Sequence, residues 1–568
     1  MKSISTLLFL FVLLINQTLV AQINHDWSFK IGSKDSEGSG GSVVDHEGNI
    51  YILMEMKDTA DMDPGPAIVQ VIPEFATSLV LTKYDEFGNL IFAYPFYCDD
   101  DSYGAVMEAR YNHIKVSINF NDSLVYEVNG HRNILYNHPG RTSALLTFDL
   151  DGNIIDSYFF AVPGGYYINN LYTFPDGRTV LEGAFNDTLI FNPQSTHTLI
   201  SSGEDDAYIM MIDADYLPVW SRQFKGTGDD YFNSLSVWKD QRIYFTGGFE
   251  DTLRINTVVG PKELVSAGDE DPFYGYLSMT GDIVKIYTFG GPSYDEMRDL
   301  QVDANGNMYV CGSFEGTVNF AYPSQDPSLR TSIEDEDGYV AKYNEDGILE
   351  WLGIYPNEDY GGVQTIALER DDELYVTGIW TLKGDLDPGP DSIIVYTGYH
   401  SSPFISKLTT DGELLWSVPF YTNEVAGIRE LTVLTEDSRI VVNGFFYDSL
   451  QCGTVAGENW LGTEYGADCF VASYSEENVV TANQEIIGQV STDMFNVFPN
   501  PVVENCTITS KENLNSISIY NSAGNLVRQI QDIHSNQLDL DLNGFPTGLY
   551  YISGTSQDKV MTCKVIKQ

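Results

Sequence analysis

Short apolar runs, partly alternating with polar residues, recur along most of this chain, and Gly, Asn or Asp bounds each one. Residues 234–238, 242–249, 273–278 and 283–289 make one set of four. Their β-branched and aromatic content, with near period-two alternation, predicts strands. Aligned on the second strand of each set, the equivalent positions are Tyr51, Lys115, Val180, Tyr244, Tyr309, Tyr375 and Val441. The steps are 64, 65, 64, 65, 66 and 66 residues. A period held this steadily over seven copies marks a repeat architecture. Residues 294–357 are the clearest copy, with tight turns at Gly306-Asn307 and Asp346-Gly347. Gly and Asn tolerate the positive φ that such hairpins demand.

A four-stranded antiparallel unit repeated radially is a β-propeller blade. The fold class expected is therefore all-β, with a seven-bladed propeller over residues 22–477. A row of separate sandwiches would need about 100 residues per unit, more than this period allows. The last strand of several copies carries Trp220, Trp351 or Trp416, whereas the seventh copy stops after Tyr474 without that strand. A matching segment, Trp27-Ser28-Phe29-Lys30-Ile31, stands alone near the N-terminus. It is expected to complete the seventh blade and so remove an exposed sheet edge.

A meander sorts its loops by face. The short Gly turns fall on one side; the long acidic connections fall on the other, where a rigid scaffold usually carries function. These include Asp99-Asp100-Asp101, Asp229-Asp230, Asp295-Glu296 and Glu358-Asp359. They also include Asp61-Met62-Asp63-Pro64-Gly65-Pro66 and its near copy Asp385-Leu386-Asp387-Pro388-Gly389-Pro390. Asp61 with Asp63, and Asp385 with Asp387, are the candidate metal ligands, with calcium as the cation, because paired carboxylates suit a hard ion that takes six to eight oxygens. The alternative is that these residues cap their own turns. A further recurrence is Asp58-Thr59, Asp122-Ser123, Asp187-Thr188, Asp251-Thr252 and Asp448-Ser449, each followed by an apolar residue. It fits either a fixed turn in each copy or an O-glycosylation acceptor.

Composition narrows the setting. Residues 1–21 read as a secretory signal peptide: Lys2, nine consecutive apolar residues at 7–15, and Ala21 before the cut. No other stretch approaches the roughly 20 apolar residues of a membrane span. With 81 acidic against 30 basic residues, the formal charge is −51, which would repel phosphate backbones and argues against nucleic acid as a partner. The six cysteines form no C-x-x-C pair, so zinc is not indicated. Outside the cytoplasm disulfides become accessible, and Cys452 with Cys469 and Cys506 with Cys563 are the pairs to test; buried thiols are the alternative.

Residues 478–494 read as a polar linker, and residues 495–568 as a small Ig-like β-sandwich. The latter carry Val497-Phe498-Pro499-Asn500-Pro501, Ile517-Ser518-Ile519-Tyr520, Pro546-Thr547-Gly548-Leu549-Tyr550-Tyr551 and a terminal Lys564-Val565-Ile566-Lys567-Gln568. In that order, and at the chain end, they resemble the C-terminal sorting domain of the type IX secretion system. The resemblance implies Pro499, Asn500, Pro501, Gly548, Tyr550, Lys564 and Lys567 as sorting-signal residues and the type IX machinery as partner. It also implies a protein released or attached at the outer surface of a Gram-negative cell. The seven copies resemble SBBP-type bacterial β-propeller repeats, most closely at Asp303…Gly306-Asn307-Met308-Tyr309-Val310…Gly312-Ser313-Phe314. That family implies a fold and an extracellular setting but no common reaction.

Catalytic patterns are sparse. The eight histidines are scattered, no G-x-S-x-G elbow occurs, and Gly38-Ser39-Gly40-Gly41 is not followed by the Lys-Ser/Thr of a phosphate loop. The expectation is a non-enzymatic secreted or surface propeller that binds an extracellular glycan or protein. The alternatives are a secreted hydrolase or lyase with its site in the central channel, for which a convergent His/Tyr/Arg or carboxylate cluster at the channel mouth would speak, and a structural spacer.

Overall fold

The computed structural model describes residues 22–567 apart from 36–37, 76, 99–104, 129, 137–141, 161–164, 192–196, 322–325, 370–372, 398–399, 435–438, 454–458, 478–494, 499–501, 503–504, 522–525, 547 and 557–558. The expected signal peptide, the linker and Asp99-Asp100-Asp101 lie outside the described residues. The chain falls into two compact units, divided between Asn478 and Val479.

In the first unit each sequence copy forms an antiparallel sheet whose strands pair in chain order. The fifth sheet comprises Asp295–Val302, Met308–Asn319, Leu329–Tyr343 and Leu349–Tyr355. Its first turn is closed by Asp303, whose Oδ1 accepts from the amides of Asn305 and Asn307 at 2.8 and 2.9 Å. Gly306 there takes φ +87°, the left-handed conformation glycine adopts at little cost. Residues 308–314 are buried without alternation, as expected of a strand covered on both faces.

The first strands of the seven sheets are Gly38–Val44, Ala105–Arg110, Tyr166–Thr173, Asp230–Trp238, Asp295–Val302, Gly362–Glu369 and Ala426–Leu434. Each touches the first strand of the next sheet, and Ala426–Leu434 touches Gly38–Val44. The seventh sheet takes its fourth strand from the other end of the unit. Gln22–Ile31 pairs antiparallel with Trp460–Glu477, Trp27 opposite Ser473 and Ile31 opposite Cys469.

Neighbouring sheets interlock through the aromatic residue of the fourth strand. Trp220 Nε1 donates to the Met279 carbonyl of the next sheet at 3.1 Å, and Trp351 Nε1 to that of Thr410 at 2.9 Å. The turn glycines admit these rings: a Cβ on Gly281 would come within 2.5 Å of Trp220.

The second copy departs from the pattern. Its hairpin Ser123–Val128 and His131–Tyr136 leaves its own sheet and joins Leu90–Cys98 of the first, setting Leu124 opposite Cys98. Tyr111 and Asn112 hold positive φ, as Lys239 and Asp240 do in the fourth copy, where the first, third and fifth copies use Gly48, Gly177 and Gly306.

In the second unit five antiparallel strands pair: Phe495–Phe498, Asn505–Asn521, Leu526–Asp541, Gly548–Ser556 and Lys559–Lys567. Hydrogen bonding links all five: Asn505–Asn521 pairs with Phe495–Phe498 before its register breaks and with Gly548–Ser556 after them. Asn505–Asn521 also pairs with Leu526–Asp541 along both halves, with register breaks between Thr509 and Leu514 and between Leu514 and Ser516. Ile508, Leu514, Ile517, Ile519, Leu540 and Ile552 form its core.

Cys98, Cys311 and Cys452 are buried thiols, so Cys452 does not bridge to Cys469. Cys506 lies in the core of the second unit, and the side chain of Cys563 lies outside the described residues.

Candidate functional site

The first strands carry a recurring irregularity. Their pairing with the second strands shifts register at Ile168/Asn170, Phe232/Ser234, Met297/Asp299, Val363/Thr365 and Ile428/Glu430. Each shift leaves one bulged residue: Asn169, Asn233, Arg298, Gln364 and Arg429. In the first strand of sheet one the shift spans Gly40 and Gly41. Bulges re-aim a side chain out of the pleat, and here all of these residues line one cavity of about 530 Å³ to which all seven first strands contribute.

The residue types at this position decide what each does. Asn169 donates its amide to the Phe232 carbonyl of the next sheet at 3.0 Å, and Asn233 does the same to Met297 at 2.9 Å. In the fifth and seventh sheets arginine replaces the tethering amide. Arg298 turns to its own strand instead, donating Nε to Glu296 Oε2 at 2.7 Å. Tyr360 stands beside the same guanidinium. Room for the group comes from Gly362, where a Cβ would lie 2.9 Å from Nη1. Arg298 Nη1 is buried and has no hydrogen-bond partner among the described residues.

Arg429 lies over the Phe445 ring at 4.9 Å. It is exposed to the solvent of the cavity, yet partial burial and then the charge of Arg298 hold its pKa below the usual arginine value. Arg298, Gln364 and Arg429 also line a second space of about 470 Å³, together with Glu296, Tyr360, Ser401 and Phe445. The two spaces share Arg298, Gln364 and Arg429, which stand on sheets five, six and seven.

Carboxylates follow the arginines by one residue. Asp299 is fully engaged, accepting from Ser234 Oγ and Thr365 Oγ1, each at 2.8 Å, and from the Ile366 amide at 2.9 Å. It links sheets four, five and six. Glu430 is pushed up to about 8 by burial and by Asp299. Near Arg298, burial raises the Glu336 pKa, and its Oε2 has no partner among the described residues. Glu270 is raised to about 7, chiefly by burial, and hydrogen-bonds Tyr231.

The sequence-predicted residues lie elsewhere. Asp61 Oδ1 accepts from the amides of Asp63 and Val69 at 3.2 and 2.8 Å, and Asp63 Oδ1 from that of Gly65 at 2.7 Å. Asp385 and Asp387 repeat this arrangement with the amides of Asp387, Ile393 and Gly389 at 3.1, 2.8 and 2.8 Å. These are turn-capping roles, and among the described residues no group of three or more His, Cys, Asp or Glu could hold a metal ion. Asp230 and Asp295, expected on an acidic binding face, are instead fully buried. Asp295 accepts from the amides of Gly291 and Glu315 at 2.6 and 3.2 Å, which fixes the connection between sheets.

The recurrent Asp-Ser/Thr segments also have a backbone reason. Asp187, Asp251 and Asp448 take φ of 62°, 55° and 59°, and Gly316 at the equivalent place takes 72°. Asp and Gly suit a left-handed bulge better than most residues.

Among the sorting residues, Pro499, Asn500 and Pro501 lie outside the described residues. Gly548 pairs with Lys567, and Tyr551 with Lys564. Lys567 is buried, and Tyr550 donates its hydroxyl to the Pro546 carbonyl at 2.9 Å.

Residues 496–568 match the secretion system C-terminal sorting domain family. No curated protein matches the chain by sequence. Similar solved structures include puromycin hydrolase, at 8% identity and TM-score 0.40, covering 84% of this chain and 59% of that one. Polysaccharide lyase Uly1 is similar at 10% identity and TM-score 0.37, covering 80% of this chain and 99% of that one. The phage phi92 endosialidase is similar at 9% identity and TM-score 0.34, covering 95% and 79%. The chain thus spans less than two thirds of puromycin hydrolase. Among the described residues no helix is long and apolar enough to cross a membrane. The sorting domain assigns the protein to type IX export, and so to a secreted or cell-surface location.

Proposed function

We propose that the first unit is a closed seven-bladed β-propeller of the SBBP-repeat kind, and that it acts outside the cell as a non-enzymatic binding protein. Its ligand enters the axial cavity where sheets five, six and seven meet. The observation that supports this reading is the replacement of a tethering amide by arginine at two of the equivalent positions, Arg298 and Arg429. An amide there ties one sheet to the next; Arg298 and Arg429 forgo that bond and line the cavity instead. Cavities with a few convergent polar groups are the usual ligand sites of a rigid scaffold. Whether the partner is a glycan or a protein is decided by screening the purified mature chain on glycan and protein arrays. Binding that disappears in Arg429→Gln supports the site; retained binding moves it elsewhere.

A hydrolase or lyase is the second reading. Tyr360, Glu296 and Glu336 gather around Arg298, and a carboxyl near neutrality (Glu270) lies in the same sector with Tyr231. Such groups suit proton transfer. Incubation with acidic and neutral polysaccharides, read by new reducing ends and by the ultraviolet absorbance of an unsaturated product, tests it. Calcium at the two Asp-x-Asp hairpins is a separate proposal, resting on the Oδ2 atoms left over from turn capping.

A further inference from the structure

We infer that the ligand of this cavity is a sugar acid, gripped through its carboxylate by Arg298 and Arg429; the inference rests on the cavity being the binding site. The chain carries a net charge of −51, yet two guanidinium groups face one space. Arg298 spends Nε on Glu296 and leaves the buried Nη1 without a partner among the described residues. Arg429 has an aromatic ring beneath it rather than a carboxylate. Two like charges in a partly desolvated space raise each other's energy, and an anion between them relieves both. Arginine presents a planar fork that matches a carboxylate through two parallel hydrogen bonds.

The surrounding charges limit the ligand further. Asp299 lines the same cavity, and Glu296 the second space. A dianion or an extended polyanion meets more repulsion from them than a single carboxylate on a neutral body does. Around the arginines stand Gln364, Ser401 and Tyr360, groups suited to hydroxyls. The Phe445 and Tyr360 rings in that lining are of the kind that packs against a sugar face.

The test uses the mature full chain. Calorimetric titration at low salt compares glucuronate- and galacturonate-containing disaccharides with their neutral counterparts and with a glutamate dipeptide. The acidic sugars are expected to bind at least about tenfold more tightly than the neutral ones, the effect of one charge-assisted hydrogen bond. Binding should weaken with added salt and fall about tenfold or more in Arg429→Gln. Arg429→Lys should recover part of it, because a point charge lacks the fork. Arg429 is exposed and packs on the Phe445 ring, and an unchanged melting temperature in Arg429→Gln checks that the sheets stay intact. Neutral sugars binding as tightly as acidic ones, with loss in Arg429→Gln, would overturn the sugar-acid assignment and keep the site. Acid binding indifferent to Arg429→Gln would overturn the site itself. A glutamate dipeptide equalling the sugar acids, or no binding of any acid, would overturn the assignment.

Discussion

Trp27 Nε1 donates to the Glu86 carbonyl at 3.1 Å across the boundary between the seventh and first sheets. The same bond joins Trp220 to Met279 and Trp351 to Thr410, with the same separation of 59 residues. The N-terminal strand therefore does for the seventh sheet what an internal fourth strand does for the others. Its ring also stacks on Phe29 at 5.5 Å and fits against Gly88. Trp27→Ala should cost about 3 kcal/mol, by the usual penalty for truncating a packed aromatic residue. Denaturant unfolding would measure it, with Trp220→Ala as the internal standard.

Stability should fall on the alkaline side. Burial raises Asp271 and Asp337 to about 6 and Asp295 to about 7, and it raises Asp230, with help from Asp206 and Asp229, to about 9. An unfolded Asp titrates near about 3.9, so the folded state binds more protons between these values. The stability these groups contribute is present below the unfolded pKa and is lost as pH rises through about 6 to 9. The melting temperature should thus be higher at pH 5 than at pH 9. Asp230→Asn, which stays neutral throughout, should flatten the upper part of that slope.

The hairpins with Asp-x-Asp-Pro-Gly-Pro give a separable result. Asp385→Ala removes two acceptor contacts to turn amides and should cost about 1 kcal/mol, with or without chelator. If the leftover oxygens hold calcium, millimolar calcium raises the wild-type melting temperature and leaves that of Asp385→Ala with Asp387→Ala unchanged. A wild-type curve insensitive to calcium would reduce these segments to turns.

Cys98 and Cys452 should be inert in the native protein. Burial pushes both thiols up to about 12, and the thiolate is the reactive form. A thiol reagent should label them only above the unfolding transition. Labelling in native buffer would contradict the burial of Cys452 in the core of the seventh sheet.

The repeat itself was open to reading from the sequence because its cause is local. Tight turns need Gly or Asn, and fourth strands need an aromatic residue, at fixed spacing. The binding candidates were not, for two physical reasons. A bulge adds a residue to a strand and breaks period-two alternation, so Arg298 and Arg429 look like ordinary first-strand residues. Their signal was nevertheless present: Asn169, Asn233, Arg298, Gln364 and Arg429 recur at the repeat spacing, and only two carry charge. The acidic loops misled for the opposite reason. Whether a loop carboxylate faces water or caps amides, as Asp295 does for Gly291 and Glu315, depends on how the loop folds back on itself.

The pairing of Gln22–Ile31 with Trp460–Glu477 also sets a clock. Lys30 meets Asp468 at 2.7 Å from 438 residues away. Contacts that span such separations form late, because loop-closure entropy is lost before they reward it. Until then Trp460–Glu477 presents a bare edge to any strand it meets. Gln22–Ile31 therefore has no partner strand until Trp460–Glu477, at the far end of the same unit, has been made: the order of the chain itself delays the last pairing of the seventh sheet.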